Sequence, residues 1–119
     1  VATLDLLERI HGRAARYDAE NAFCAEDFEE LRSAGYLRAM LPEADGGHDW
    51  GLARTAAAQR LLATYSPPTA LAVNMHLVWT GVWRLLAERG DDRLGMVRRW
   101  VADGEVMAFG VSEAGNDQV

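Results

Sequence analysis

The sequence is short of cysteine and of positive charge, and both shortages exclude classes of function. Its single cysteine, Cys24, cannot form an internal disulfide or a multi-cysteine metal site. The 18 acidic residues outnumber the 12 basic ones, which gives a formal net charge of −6. All the basic residues are scattered arginines, so the basic patch of a nucleic-acid-binding protein is missing. We therefore expect no nucleic-acid partner.

The sequence also lacks a long uninterrupted apolar run. Its most apolar stretch, residues 69–89, contains Asn74, His76 and Arg84 and barely reaches the ~20 residues that a membrane span needs. The amino end has no basic segment followed by an apolar run, which is the pattern of a secretory signal. The sequence therefore predicts no membrane span and a cytoplasmic location.

Residues 69–89 instead predict the central helix of a helical bundle. Thr69 is expected to cap this helix, since Pro67 and Pro68 stop whatever precedes it. Apolar side chains at helical spacing form two neighbouring faces, the first with Leu71, Met75, Val78, Val82 and Leu86 and the second with Ala72, Trp79 and Trp83. Because so much apolar surface is unfavourable in water, we expect both faces to be buried.

Four further helices are predicted around this one, at residues 3–20, 25–35, 52–65 and about 91–104. The second begins with an acidic cluster, which we interpret as a solvated helix start because it has no histidine or cysteine at ligand spacing: Glu26, Asp27, Glu29 and Glu30. No metal site is expected. Residues 36–50 are predicted to form an ordered loop, in which His48 and Asp49 share a local hydrogen bond.

The pattern changes at Val106–Val111, an apolar run that predicts one buried strand. No second strand is predicted upstream, and an isolated strand leaves its backbone groups unpaired. We therefore predict a mainly α fold with a helical amino-terminal domain at residues 1–104. Residues 105–119 would be the first strand and turn of a truncated β domain, and the chain would be a fragment.

Several segments, taken in order, carry a family resemblance. They are Phe-x-x-Leu-Arg-x-x-Gly-Tyr-Leu at 28–37, Leu-Pro-Glu-x-x-Gly-Gly at 41–47, Thr-Ala-Leu-Ala at 69–72 with His76, Trp100 with Gly104-Glu105, and Ala-Phe-Gly-Val-Ser-Glu at 108–113. Together they resemble the amino-terminal part of an acyl-CoA dehydrogenase. The resemblance implies a flavoprotein of fatty acid metabolism that binds FAD and removes two hydrogens from the α and β carbons of an acyl-CoA thioester.

The resemblance also implies which residues form the site. Phe109, Val111 and Ser112 would lie along the flavin edge, and Gly115 near the FAD pyrophosphate. Substrate would be bound by residues of the central helix and by one residue near the carboxyl end: Ala72, Val73, His76 and Asn116. Ala114 stands where the family has proline, and Asn116 where it has serine. His76 has a second interpretation, as a core histidine bonded to a backbone carbonyl.

No catalytic residue is assigned within these 119 residues, because the resemblance places the general base downstream. It further implies the remainder of the chain or a partner subunit, a homotetramer, and electron-transfer flavoprotein as a candidate electron acceptor. Two alternatives stay open at this point. An acyl-CoA oxidase or a flavin monooxygenase shares the architecture, and a non-catalytic helical binding module would account for the missing base.

Overall fold

The computed structural model describes residues 2–110, and the regular elements in this range are helical. The five α helices are α1 (Leu4–Glu20), α2 (Ala25–Ser33), α3 (Leu52–Tyr65), α4 (Pro67–Glu88) and α5 (Gly95–Ala102). Two short 3-10 helices, Tyr36–Arg38 and Glu43–Asp45, lie in the connection between α2 and α3. The predicted mainly α fold is confirmed.

Helix α4 is the central element, as the sequence predicts. It packs against α2, α3 and α5, and α1 packs against α3. One hydrophobic cluster joins the first four helices, with Ile10, Leu31, Leu62 and Val73 among its members. A second cluster, made by Leu41, Trp83, Val97 and Val101, fixes α5 to the other end of α4.

The start of α4 differs from the prediction. The helix begins at Pro67 rather than at Thr69, with Ser66 as its extended N-cap residue. Proline is favoured at the first helical positions because its fixed φ suits the helix and its missing N–H would have no partner there. Thr69 therefore does not cap the helix, and its hydroxyl donates instead to Asp27 Oδ2 over 2.7 Å.

The acidic start of α2 is not wholly solvated either. Asp27 is completely buried, and its Oδ1 accepts a hydrogen bond of 2.6 Å from Arg13 Nε on α1. Its second oxygen accepts from Thr69, so both carboxylate oxygens are bonded. The solvated interpretation was wrong for Asp27, because a buried carboxylate is tolerated where a cation and hydroxyl satisfy it.

The connection between α2 and α3 is held by its own backbone and by α4. Asp49 has a positive φ of 52° and accepts a hydrogen bond of 2.8 Å at Oδ1 from Arg84 Nη1. The predicted local bond to His48 is thus replaced by an ion pair with α4. Among residues 2–110, the buried His48 Nε2 has no hydrogen-bond partner.

The predicted strand at 106–111 is not formed over its described part. Residues 105–110 have no regular secondary structure, and Val111 lies outside the described residues. A strand needs a neighbouring strand to receive its backbone hydrogen bonds, and residues 2–110 contain none. None of the helices described here has the length and hydropathy of a membrane span.

Candidate functional site

Helix α4 presents one buried face and one exposed apolar face. The exposed face, called here the apolar stripe, consists of Leu71, Met75, Val78, Val82 and Leu85, each 39–73% exposed. These residues follow each other at spacings of three and four, which aligns them on one side of the helix. The expectation that both predicted faces are buried was therefore wrong for Leu71, Met75, Val78 and Val82, because within the described range no helix covers them.

A groove of about 260 Å³ opens beside the apolar stripe. It is lined by the buried Met40 and Leu77, by Val78 and Val82 of the stripe, and by Leu52 at the start of α3. Gly81 contributes no side chain, and a Cβ there would lie 3.5 Å from Met40 Cε. The groove is thus an apolar recess on the surface of α4.

Arg84 lines this groove and carries a positive charge. Its Nη1 donates to Asp49 Oδ1 and to the Met40 carbonyl over 3.1 Å, and its Nε donates to Glu88 over 2.9 Å. The hydrogen bond to Asp49 is the main cause that raises the pKa of Arg84. The guanidinium is therefore paired within the chain and holds the 40–49 loop against α4.

His76 lies on the buried face of α4, where it is 1% exposed. Its Nε2 donates to the Leu37 carbonyl over 2.7 Å, and its Nδ1 accepts from the Met107 N–H over 3.0 Å. Burial lowers the pKa of His76, although the bond to Leu37 opposes the shift. The ring is thus the neutral Nε2–H tautomer, with both nitrogens engaged.

The segment after α5, called here the exit segment (residues 105–110), returns across α4. Arg32 Nη2 donates to the Gly104 carbonyl over 2.8 Å just before this segment begins. Met107 packs into the second hydrophobic cluster, and the Phe109 ring lies against Trp79 with centroids 5.7 Å apart. The exit segment is therefore placed by side chains of α2 and α4.

The predicted site residues occupy different environments. Ala72 is half-buried, whereas Val73 is 0% exposed within the first hydrophobic cluster. The second interpretation of His76 was a ring that bonds a backbone carbonyl, and its bond to the Leu37 carbonyl is present in the structure. A direct contact between a ligand and either ring nitrogen would require one of its two hydrogen bonds to break. Val111, Ser112, Gly115 and Asn116 lie outside the described residues.

Phe109 is the one predicted flavin-edge residue that the structure describes. Its ring is 54% exposed and rests on Trp79, whose buried Nε1 has no partner among residues 2–110. The Trp79–Phe109 pair leaves part of the Phe109 ring exposed and has one indole N–H without a partner in the part of the chain that the structure describes, so it fits the side of a flat aromatic group. Within the described range, no cluster of histidine, cysteine and carboxylate side chains could hold a metal ion.

Sequence reasoning missed Met107 and the groove beside α4. The bond from Met107 to His76 uses a backbone N–H in an irregular segment, and no side-chain pattern signals such a donor. The groove had a usable signal, since Val78, Gly81 and Val82 place a small residue between branched ones on one helix face. That signal was interpreted as core packing.

Comparison with known proteins identifies the family. Residues 6–94 match the model described as "Acyl-CoA dehydrogenase, N-terminal domain". The chain is 33% identical over 101 residues to the Bacillus subtilis (strain 168) protein named "Putative acyl-CoA dehydrogenase YdbM". That alignment covers 85% of this chain and 26% of the relative, so the chain spans about a quarter of the relative's length. No solved structure matches at comparable significance. The family match covers most of the chain, and the chain belongs to the acyl-CoA dehydrogenase family.

Proposed function

We propose that this chain is the amino-terminal helical part of an FAD-dependent acyl-CoA dehydrogenase, which removes two hydrogens from the α and β carbons of an acyl-CoA thioester. The observation that carries the proposal is the family match over residues 6–94, in which the central helix α4 is included whole. The general base would come from outside these residues. The enzyme would be cytoplasmic and homotetrameric.

The apolar stripe supports the idea that this chain works as part of a larger body. Five neighbouring large apolar side chains on one helix face are more than scattered exposed residues, and such patches mark interaction surfaces. The Bacillus subtilis relative is about four times as long as the aligned segment, and a protein of that length has enough additional chain to cover these side chains. We therefore assign the stripe to contact with the remaining part of the protein or with a partner subunit.

The proposed site lies where α4 meets the exit segment. FAD, when bound, would supply the acceptor for the hydride that leaves the β carbon. Phe109, Val111, Ser112 and Gly115 would lie around the cofactor. Ala72 would line the acyl pocket, with Asn116 near the thioester arm and with Val73 and His76 supporting the wall from its buried side. The small side chain of Ala72 is what would leave room for the acyl chain.

The test is a turnover assay of the full-length protein with FAD, an artificial electron acceptor and a series of acyl-CoA thioesters. We expect an enoyl-CoA product that has lost two hydrogen atoms, identified by mass spectrometry. The absence of this product with every thioester, in protein that has bound FAD, would contradict the proposed reaction. Peroxide formation in place of acceptor reduction would instead favour an oxidase.

A matched pair of variants tests the proposed pocket. Ala72→Leu should lower kcat/KM for long acyl chains by about tenfold or more while affecting short chains less, because added side-chain volume excludes the chain end. Ala56→Leu places the same change on the exposed surface of α3 and should leave kcat/KM unchanged for long and for short acyl chains. If Ala72→Leu lowers kcat/KM equally for long and for short acyl chains, Ala72 does not line the acyl pocket.

A further inference from the structure

We propose that His76 is a positioning residue that holds the exit segment in register on α4 and so places the flavin-edge residues that follow it. The inference deepens the proposed function and rests on it for the part that concerns FAD. The anchoring itself rests on contacts within residues 2–110.

The exit segment has few other contacts that fix it. It belongs to no helix, and no strand among residues 2–110 pairs with it. Val106, Ala108 and Phe109 are exposed, so apolar burial holds mainly Met107. A segment of this kind opens easily unless specific hydrogen bonds hold it.

His76 supplies such a bond and is itself immobilised. The Met107 N–H donates to Nδ1 over 3.0 Å, and the opposite ring nitrogen donates to Leu37 over 2.7 Å. The bond to Leu37 fixes the ring plane and the tautomer, which leaves the Nδ1 lone pair aimed at Met107. Because the ring is buried and both of its nitrogens are hydrogen-bonded, Nδ1 holds the Met107 backbone at a fixed position on α4.

A second contact, further along α4, fixes the same alignment of the exit segment on this helix. Trp79 lies three residues after His76, about one helical turn, and its ring contacts Phe109, two residues after Met107. Both contacts run in the same direction along α4 and along the exit segment. Val111 and Ser112 follow Phe109 after Gly110, so a shift at Met107 would displace the residues that we propose at the flavin edge.

The experiment compares His76→Leu, His76→Gln and His11→Leu in the full-length protein. Leucine removes both hydrogen bonds, whereas the glutamine amide retains one donor and one acceptor. His11 is the matched control, because its ring also bonds a backbone carbonyl, that of Tyr65 over 2.9 Å, but lies on α1. Amide hydrogen exchange of residues 105–110 is measured without FAD, and FAD affinity is measured separately by flavin fluorescence.

We expect His76→Leu to speed exchange in the exit segment by about tenfold and to weaken FAD binding by a similar factor, as the loss of a buried hydrogen bond implies. The exchange of α3 and α5 should stay close to that of the unmodified protein. His76→Gln should restore most of the protection and affinity, and His11→Leu should change neither. A general packing role for His76 would loosen the helices as well and would not be rescued by glutamine.

Unchanged exchange of residues 105–110 in His76→Leu would overturn the inference, as would acceleration spread equally over all helices. Should His76→Leu fail to fold, Met107→Pro removes the same donor from the other side, and the exchange of its neighbours must then increase. An unmodified protein that binds no FAD would overturn the proposed function alone, because the exchange comparison in FAD-free protein still decides the anchor.

Discussion

Arg13 and Asp27 form a charged hydrogen bond of 2.6 Å between α1 and α2, with the aspartate wholly buried. Arg13 also pairs with Glu30, and the hydrogen bonds to these two carboxylates raise its pKa against the opposing effect of burial. Thr69 connects the same aspartate to the start of α4. This one carboxylate therefore links three helices.

Replacing this carboxylate should destabilise the protein strongly. Asp27→Asn leaves the partly buried Arg13 with one fewer anion, and we expect a loss of about 3 kcal/mol in the free energy of unfolding. Glu29→Gln is the matched control, because it removes a carboxylate from an exposed pair with Arg32 on the same helix and should cost less than about 1 kcal/mol. Urea denaturation measures both, and equal small losses would show that the buried pair is not important for stability.

The stability should depend on His76 in mildly acidic solution. Its folded-state pKa is lowered from 6.5, mainly by burial, so the unfolded chain takes up a proton first as the pH falls. The stabilising contribution is present above pH 6.5 and is lost as the pH falls from there through the folded-state pKa. His76→Gln should lack this decline when urea midpoints are compared between about pH 7.5 and pH 5.

Glu30 titrates in a separate window, which keeps this test clean. The pKa of Glu30 is lowered from 4.5, first by its hydrogen bond to Arg13. Its stabilising contribution is present above pH 4.5 and is lost at lower pH. A decline above pH 5 that is identical in the unmodified protein and in His76→Gln would assign the effect to another group.

The apolar stripe should tolerate charge only if nothing covers it. Val78→Glu in the full-length protein should lower the thermal unfolding midpoint, because we propose that the remaining chain or a subunit packs on this side chain. Leu61→Glu is the control, since Leu61 is similarly exposed, at 50% against 45%, but lies on α3 outside the stripe. Equal midpoints for the two variants would argue that the stripe faces water in the whole protein.

Replacing Gly47 and Gly12 by alanine should change the free energy of unfolding in opposite directions. A Cβ on Gly47 would lie 2.1 Å from the Leu41 carbonyl oxygen, so Gly47→Ala must displace backbone and should cost at least about 3 kcal/mol. Gly12 lies inside α1 with nothing within 4 Å of such a Cβ, and Gly12→Ala should stabilise the protein by about 1 kcal/mol. Chemical denaturation of the two variants gives the signs directly, and a tolerated Gly47→Ala would contradict the described loop.

Local patterns predicted α1 and α3 well and the surroundings of the helices poorly. Helix α5 is shorter than predicted, since it spans Gly95–Ala102 rather than about residues 91–104. The bounds of α3 were predicted correctly, and α1 was predicted to within one residue, because periodicity and capping act within a few residues. The burial of Asp27 could not be predicted, since its partners Arg13 and Thr69 are distant in sequence. The exposure of Val78 is likewise a property of what packs on α4, which composition does not specify.

The candidate site shows the same division. The sequence indicated that His76 either bonds a backbone carbonyl or contacts the substrate, and the first of these bonds is present. Its second partner is the backbone of Met107, and a backbone donor in an irregular segment leaves no trace in the sequence. The division into domains at residue 104 and the roles of Ser112 and Asn116 stay predictions, because they depend on residues and neighbours outside the described range.

The most direct test of the account is an anaerobic titration of the full-length protein, purified with its flavin, with acyl-CoA thioesters of increasing chain length. We expect at least one thioester to bleach the visible absorbance of the oxidised flavin and to yield the matching enoyl-CoA. A flavin absorbance that no thioester changes, or a full-length protein that binds no flavin, would contradict the proposal that this chain belongs to an active acyl-CoA dehydrogenase.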